Sequence, residues 1–446
     1  MKRYLLGFYG DDFTGSTDAM EALDRYGLKT ILFLRIPNKE LLNRFRNVDC
    51  IGIAGTARAK GLDGMKEELL PIYEFLKTLN PYFVHYKVCS TFDSSPEVGS
   101  IGFASDLARN YFNGFTFPLL VAAPNLGRYT IFGNHFAVFN NEVYRLDMHP
   151  VMSKHPVTPM NEADLAKHLQ EQTNQKVTKV TVRDLETKTA IELIEEEEKS
   201  SGITLFDAMN DTHIKKFSEM LWEKRSDQAQ FLVGSSGIEY ALGDMMKHKN
   251  KMDQMDRVVN PSKAEKLFAV SGSVSEVTKM QLDEAEKAGF HLVQIPCELY
   301  TDEVKAGQFL ETIAQQIEEK KRVVIYTAKG ADDPIILNTK KHLIENGVPK
   351  DQIGRYIGEM LGIWTKQVLD KVDIRRVIIS GGDTSGFVTS NLDIYGLEVL
   401  DSIAPGAPLC LAYSESAKYD GLEIALKSGQ LGGPAFFNKV FQSGSN

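Results

Sequence analysis

The stretch YLLGFYGDDFTGSTDAMEALDRYGLKTILFL, residues 4–34, decides the fold. An apolar run from Tyr4 to Tyr9 leads into a polar, glycine-containing turn, then an amphipathic segment from Ala19 to Tyr26, then a second apolar run from Thr30 to Leu34. Short β-type runs alternating with helical periodicity read as strand, helix, strand, the opening of a parallel α/β sheet. Asp11 and Asp12 then fall at the carboxyl end of the first strand, the edge where such sheets collect ligands. Working outward, Cys50 to Ala54, Tyr82 to Val88 and Leu119 to Ala122 read as further strands with helical patterns between them. After residue 266 the same grammar returns: KLFAVSGS, a helix-like TKMQLDEAEKAG, then HLVQIP. RVVIYTAKG and RRVIISGGDTSG each read as a strand running into a glycine turn.

A chain of 446 residues exceeds the roughly 250–300 residues at which one hydrophobic core stops growing, so two domains are expected. Between Ala241 and Lys266 the sequence is rich in Lys, Met and Asp, poor in β-branched residues before Val258, and carries a late Asn-Pro. That composition places a linker at 246–266, with an α/β domain of residues 1–245 before it and a second of residues 267–446 after it. The acidic run IEEEEK from Ile194 reads as an exposed helix face.

Composition excludes several classes. Hydrophobic residues at 43% and charged residues at 25% fit a globular chain rather than a disordered or fibrous one. A net charge of -9 argues against nucleic acid as a partner, so an anionic substrate needs a local basic pocket. The two aspartates interrupt the opening apolar run too early for a signal-peptide core, and no stretch is long enough to span a membrane. The four cysteines form no CxxC pair, which suggests neither a disulfide framework nor a zinc site and fits a reducing cytoplasm.

Chemistry is concentrated in the turns. The second domain offers SGSVS from Ser271, SGGDTSG from Ser380 and SGQLGG from Ser428. Turns after parallel strands gather on one edge, where backbone N–H groups and helix N-termini suit phosphate oxygens; each alone is commonly just a turn. No GxxxxGK[ST] occurs, so a Walker-type site is not expected. Asp383 and Thr384 could orient Mg²⁺ or a nucleotide hydroxyl, or could simply cap a helix. In the first domain Asp11, Asp12 and Asp18 surround the first strand-to-helix turn, where one carboxylate can act as general base in phosphoryl transfer or one can cap the helix. Lys87, Ser90, Thr91, Asp93 and Ser94 follow another strand, a set of hydrogen-bonding groups suited to a polyhydroxy ligand. Arg58 could hold a carboxylate by a bidentate fork, or lie on the surface. His149 and His155 lack a third ligand of suitable spacing, and Cys89 reads as a small strand-end residue rather than a nucleophile.

In order along the chain, GDDFTGSTD, KVCSTFDSS, HPVTPM, VGSSG, SGSVS, GGDTSG and LKSGQLGG resemble the motifs of the four-carbon acid sugar kinase family, from about Tyr4 to Phe437. The resemblance implies two α/β domains with largely parallel sheets facing a central cleft, the first binding a sugar acid and the second a nucleotide. It implies an ATP- and Mg²⁺-dependent kinase acting on a four-carbon acid such as threonate, erythronate or a 3-oxo-tetronate. A kinase for a branched, apionate-type acid and a non-catalytic sugar-acid or nucleotide sensor are the alternatives, and a homodimer is left open. By resemblance Ser273, Gly381, Gly382, Asp383, Thr384 and Gly429 are ATP-contacting positions; no residue is assigned as a metal ligand. Asp12 is the expected base, with Asp11, Arg58, Lys87, Ser90, Thr91 and Asp93 on the substrate side. Three departures stand out: SGQLG where the family usually has SGNFG, LGRYT from Leu126 where NGRT is common, and GDDFTGSTD where many members have ADDFTGATD.

Overall fold

The computed structural model describes residues 3–114, 116–155, 157–199, 201–250 and 260–445. The chain divides into two compact units, Met1–Met255 and Asp256–Asn446. The predicted linker begins inside the helix Gly237–Asn250, and its residues 251–259 lie outside the described residues.

The first unit contains β1 (Leu6–Gly10), β2 (Thr30–Phe33), β3 (Cys50–Ala54), β4 (Phe83–Lys87), β5 (Thr116–Leu120), β6 (Arg128–Ile131), β7 (Asn134–Phe139), β8 (Glu142–Arg145), β9 (Val177–Val180), β10 (Gly202–Phe206) and β11 (Gln230–Gly234). Eight of these make a sheet in the order β2-β3-β1-β4-β11-β5-β10-β9, parallel throughout. All five residues of β1 are buried, as expected of a central parallel strand covered on both faces. Tyr9, Ile53 and Tyr86, from β1, β3 and β4, join one core cluster with Met65 and Leu69 of the helix Leu62–Leu79. Burying each such side chain contributes about 2 kcal/mol. The order reverses at β1, which lies between β3 and β4, so the crevice outside its carboxyl end is the topological switch point.

The first helix spans Phe13–Asp24 and begins earlier than its amphipathic segment suggests, because the Asp12 side chain accepts a hydrogen bond from the Gly15 N–H and caps it. The sequence reading also missed a separate antiparallel sheet, β6-β7-β8. Its hairpins turn on Phe132-Gly133 and Asn140-Asn141, all four with positive φ. Two-residue loops of that conformation suit the twist of paired strands.

The second unit contains β12 (Leu267–Ser271), β13 (His291–Gln294), β14 (Arg322–Tyr326), β15 (Arg376–Ser380), β16 (Ile394–Ala404), β17 (Ala407–Ser414) and β18 (Glu423–Lys427), in the order β13-β14-β12-β15-β18-β17-β16. The first five are parallel, whereas β17 runs antiparallel to both β16 and β18. Each unit is thus α/β with a mostly parallel sheet, the second carrying a hairpin at one edge. Leu267, Ala269, Val324, Ile378 and Ala425 pack with Leu282, Phe436 and Phe437 to form the core here. Arg376 is completely buried among them, paired with Glu423 and donating to the carbonyls of Ser262, Val440, Phe441 and Ser443. This hub ties the last helix, Phe436–Gln442, to the sheet.

Candidate active site

On the first unit the register Ala54↔Gly10↔Lys87↔Gly234 aligns the carboxyl ends of β3, β1, β4 and β11. The residues just beyond that edge meet. Arg58 Nη2 lies 2.6 Å from Asp11 Oδ1 and 2.9 Å from Asp12 Oδ1, and its Nε donates to Asp11 Oδ2 at 3.3 Å. Burial pushes the Asp11 carboxyl up to about 6; Arg58 pulls it down, and the nearby Asp12 charge pushes it up again. Burial also works against the Arg58 charge, but Asp11 and Asp12 outweigh it and hold the guanidinium well above its usual range. Lys87 is likewise buried and remains a cation: desolvation opposes its charge, and Asp18, 3.6 Å from Nζ, Glu239 and Asp12 restore it. Behind it, His85 Nδ1 lies 2.6 Å from Glu239 Oε1, and Nε2 donates to the Gly234 carbonyl.

Gly15 sits at the focus of these groups. A Cβ there would stand 2.4 Å from Asp12 Oδ1, 3.2 Å from Lys87 Nζ and 3.6 Å from Arg58 Nη2. Glycine lets the start of the helix approach the point where carboxylate, ammonium and guanidinium converge. Asp12 is both the helix cap and the carboxylate at this point, about a third exposed while Asp11 is buried. The two readings of Asp12, cap and reactive group, are therefore not alternatives.

The segment after β4 is more self-contained than its composition suggests. Thr91 donates to Asp93 at 2.6 Å, the Cys89 thiol contacts Thr91 Oγ1, and the Ser90 carbonyl accepts from His135 Nε2 at 2.9 Å. Burial raises the Cys89 thiol to about 11, which leaves it unreactive at neutral pH. His149 and His155 each accept backbone N–H groups of their own turns through Nδ1. Among the described residues no cluster of three His, Cys, Asp or Glu side chains could hold a metal ion.

On the second unit the register Ser271↔Ser380↔Lys427 brings the ends of β12, β15 and β18 level, so the three glycine turns do share one edge. A Cβ on Gly429 would meet Ser273 Oγ at 2.5 Å, and one on Gly381 would meet Thr384 Oγ1 at 2.7 Å. Gly381, with φ of 133°, opens the helix Gly382–Asn391 without a side-chain cap. Asp383 and Thr384 therefore lie in the first helical turn rather than in the loop, and neither caps it. Thr384 is buried between the turns, while Asp383 is exposed at the helix start.

The residue this edge is built around went unremarked in the sequence. Lys427, the last residue of β18, is 2% exposed and donates to Ser380 Oγ at 3.1 Å and Thr278 Oγ1 at 3.3 Å. Thr278 in turn contacts Ser273 Oγ and the Gly429 carbonyl. Among the described residues no carboxylate lies within 4.0 Å of its ammonium, and desolvation lowers it to about 8. The Ser271 hydroxyl, at the end of β12 on the far side of Ser380, is buried without a partner. The available signal was a lysine ending an apolar strand, EIALK, directly before a glycine turn.

A buried cation facing hydroxyls, glycine turns and a helix N-terminus is a cradle for an anion, and phosphate oxygens suit it.

Comparison with known proteins agrees with this division. Residues 6–242 match the family described as a sugar-binding N-terminal domain, and residues 268–437 match that described as a nucleotide-binding C-terminal domain. The chain is 38% identical over 443 residues to a 3-oxo-isoapionate kinase of Paraburkholderia graminis, covering 98% of this chain and 94% of that protein. It is 29% identical over 447 residues to a 3-oxo-tetronate kinase of Pseudomonas fluorescens, covering 98% and 96% respectively. Among solved structures, a Haemophilus influenzae protein from a domain family of unknown function superposes with a TM-score of 0.74 at 25% identity, over 97% of this chain and 98% of that one. A Salmonella typhimurium LT2 protein named as a tRNA synthase superposes with a TM-score of 0.81 at 22% identity, over 98% of each chain, a likeness of fold. With both of its units matched in order and a relative this similar over nearly its full length, the chain belongs to the four-carbon acid sugar kinase family.

Proposed function

We propose that this protein is an ATP-dependent kinase that phosphorylates a hydroxyl of a small sugar acid in the cytoplasm. The observation that carries the reading is Lys427, a desolvated ammonium with no carboxylate within 4.0 Å among the described residues, at the edge that carries Ser273, Gly381, Gly382, Thr384 and Gly429. A nucleotide polyphosphate supplies the missing negative charge. The triphosphate lies on the Ser271, Ser380 and Ser428 turns, with backbone N–H groups of the helix Gly382–Asn391 toward its oxygens.

The donor set also fits Mg²⁺ as an ion carried by the nucleotide. Mg²⁺ keeps several waters and takes one or two carboxylates besides phosphate oxygens, and Asp383 offers a single exposed carboxylate at this edge. When bound, the ion neutralises charge on the phosphates.

On the first unit the acid substrate lies against the exposed side of Asp12, with Lys87, Ser90, Thr91 and Asp93 as hydrogen-bonding partners. Asp12 takes the proton from the attacking hydroxyl. The new bond joins that oxygen to the γ-phosphorus, the bond from γ-phosphorus to the bridging oxygen breaks, and ADP leaves with its electron pair. Asp11 and Arg58 hold Asp12 in place and set its charge balance.

The acceptor is a four-carbon acid such as threonate, erythronate or a 3-oxo-tetronate. A second reading, a branched acid of the 3-oxo-isoapionate type, is favoured by the higher identity to the Paraburkholderia graminis kinase. ADP formation measured with ATP, Mg²⁺ and a panel of these acids tests the proposal: turnover with one of them is expected, and none with any would overturn it.

A further inference from the structure

A sugar-acid site needs a group for the carboxylate, and Arg58 is poorly placed to be it, since Asp11 and Asp12 already occupy its Nε and Nη2. A second guanidinium in the same unit has no such partner. Arg128 opens β6 directly after Gly127, in the LGRYT segment, and its backbone forms a two-way bridge with Ala123. Its Nη1 donates to the carbonyls of Leu126 and Gly127, both at 3.2 Å, and of Val138 at 3.4 Å. These contacts fix the plane of the fork through one nitrogen. Nε is buried with no hydrogen-bond partner, and among the described residues no carboxylate lies within 4.0 Å of this guanidinium.

Its surroundings place it at the substrate side. Arg128 interacts electrostatically with Cys89 and Asp93, and the Ser90 carbonyl in that segment accepts from His135, which pairs with Thr130 of the same strand β6. His135 adds no second cation there: burial holds it neutral, accepting from Thr130 Oγ1 and donating to the Ser90 carbonyl. Desolvation lowers the Arg128 pKa, and the pull of Cys89 and Asp93 does not offset it.

We propose that Arg128 anchors the substrate carboxylate through its free Nε and Nη2 edge and so selects acids over neutral polyols, while Arg58 serves Asp11 and Asp12. A planar carboxylate fits that edge by two parallel N–H···O bonds. The inference rests on the sugar-acid kinase reading.

The test compares wild type, Arg128→Lys and Arg128→Met in steady-state assays with erythronate, threonate, a 3-oxo-tetronate, 3-oxo-isoapionate and the corresponding neutral polyols. Arg128→Met should raise KM for the acid by about 10- to 100-fold, leave KM for ATP unchanged and erase the preference for acid over polyol. Arg128→Lys, which keeps the charge but loses the fork, should fall between. An acid KM within threefold of wild type in Arg128→Met, or a parallel rise for ATP, would overturn the assignment. If the wild type turns over none of these four acids, the kinase reading fails on its own. Calorimetry with the same four acids then decides the anchor: binding lost in Arg128→Met keeps it, and equal binding or none in the wild type removes it.

Discussion

Lys427→Met exchanges a buried ammonium for an apolar chain of similar length, and its consequences for stability and binding should have opposite signs. Desolvation takes Lys427 from 10.5 to about 8, which corresponds to about 3 kcal/mol spent on holding the charge in the empty site. Because the folded value lies below the unfolded one, the unfolded chain binds more protons between pH 8 and 10.5, and the wild type gains stability as pH rises through that window. Below about pH 8 the full penalty is present, so the variant should be the more stable protein at pH 7, by several degrees in Tm. Nucleotide binding should respond the other way. Phosphate restores the Lys427 proton, so wild-type affinity for ADP should fall about tenfold between pH 7 and 9, from the protonated fraction at a pKa of about 8. At pH 7 the variant should bind ADP about 10- to 100-fold more weakly, with little dependence on pH over the same range. Isothermal titration calorimetry at pH 7, 8 and 9, beside thermal melts without ligand, reads both quantities. A variant that melts lower than wild type and binds ADP with wild-type affinity would refute the reasoning.

Asp12→Asn preserves the cap on the first helix and an oxygen for Arg58 but removes the base. Its kcat should fall about 100- to 10,000-fold with ADP binding intact, and near-normal turnover would remove Asp12 from the chemistry. Gly15→Ala puts a methyl group 2.4 Å from Asp12 Oδ1. The expected outcome is a raised KM for the acid and a loss of about 1–3 kcal/mol in stability, with ADP affinity unchanged by calorimetry. Arg376→Met strands the buried Glu423 and releases four carbonyls. Denaturant unfolding should show about 3–5 kcal/mol of destabilisation, and adding Glu423→Gln should recover part of it.

The sequence made the parallel architecture readable because central strands such as LGFYG and RVIIS are apolar on both faces and end in glycine turns. It placed Asp11, Asp12 and the three second-unit turns at strand ends for the same reason. It did not reveal the β6-β7-β8 sheet, whose short strands carry mixed polar residues and whose pairing shows only in the Phe132-Gly133 and Asn140-Asn141 turns. Lys427 escaped notice because its burial comes from β15 and the Thr278 helix, distant in sequence. Arg58 looked like a free carboxylate clamp for a similar reason: its partners lie 46 and 47 residues away. Asp12 showed two local signals, cap and carboxylate, and the three-dimensional arrangement shows that it caps the helix while staying in contact with Arg58.

The most direct test of the account is ADP release from the purified protein with ATP and Mg²⁺, with and without erythronate, threonate, a 3-oxo-tetronate and 3-oxo-isoapionate. The account predicts ADP formation that depends on one of these acids, with one phosphate transferred to a hydroxyl of that acid for each ADP. ADP formation no faster with any acid than without would contradict it.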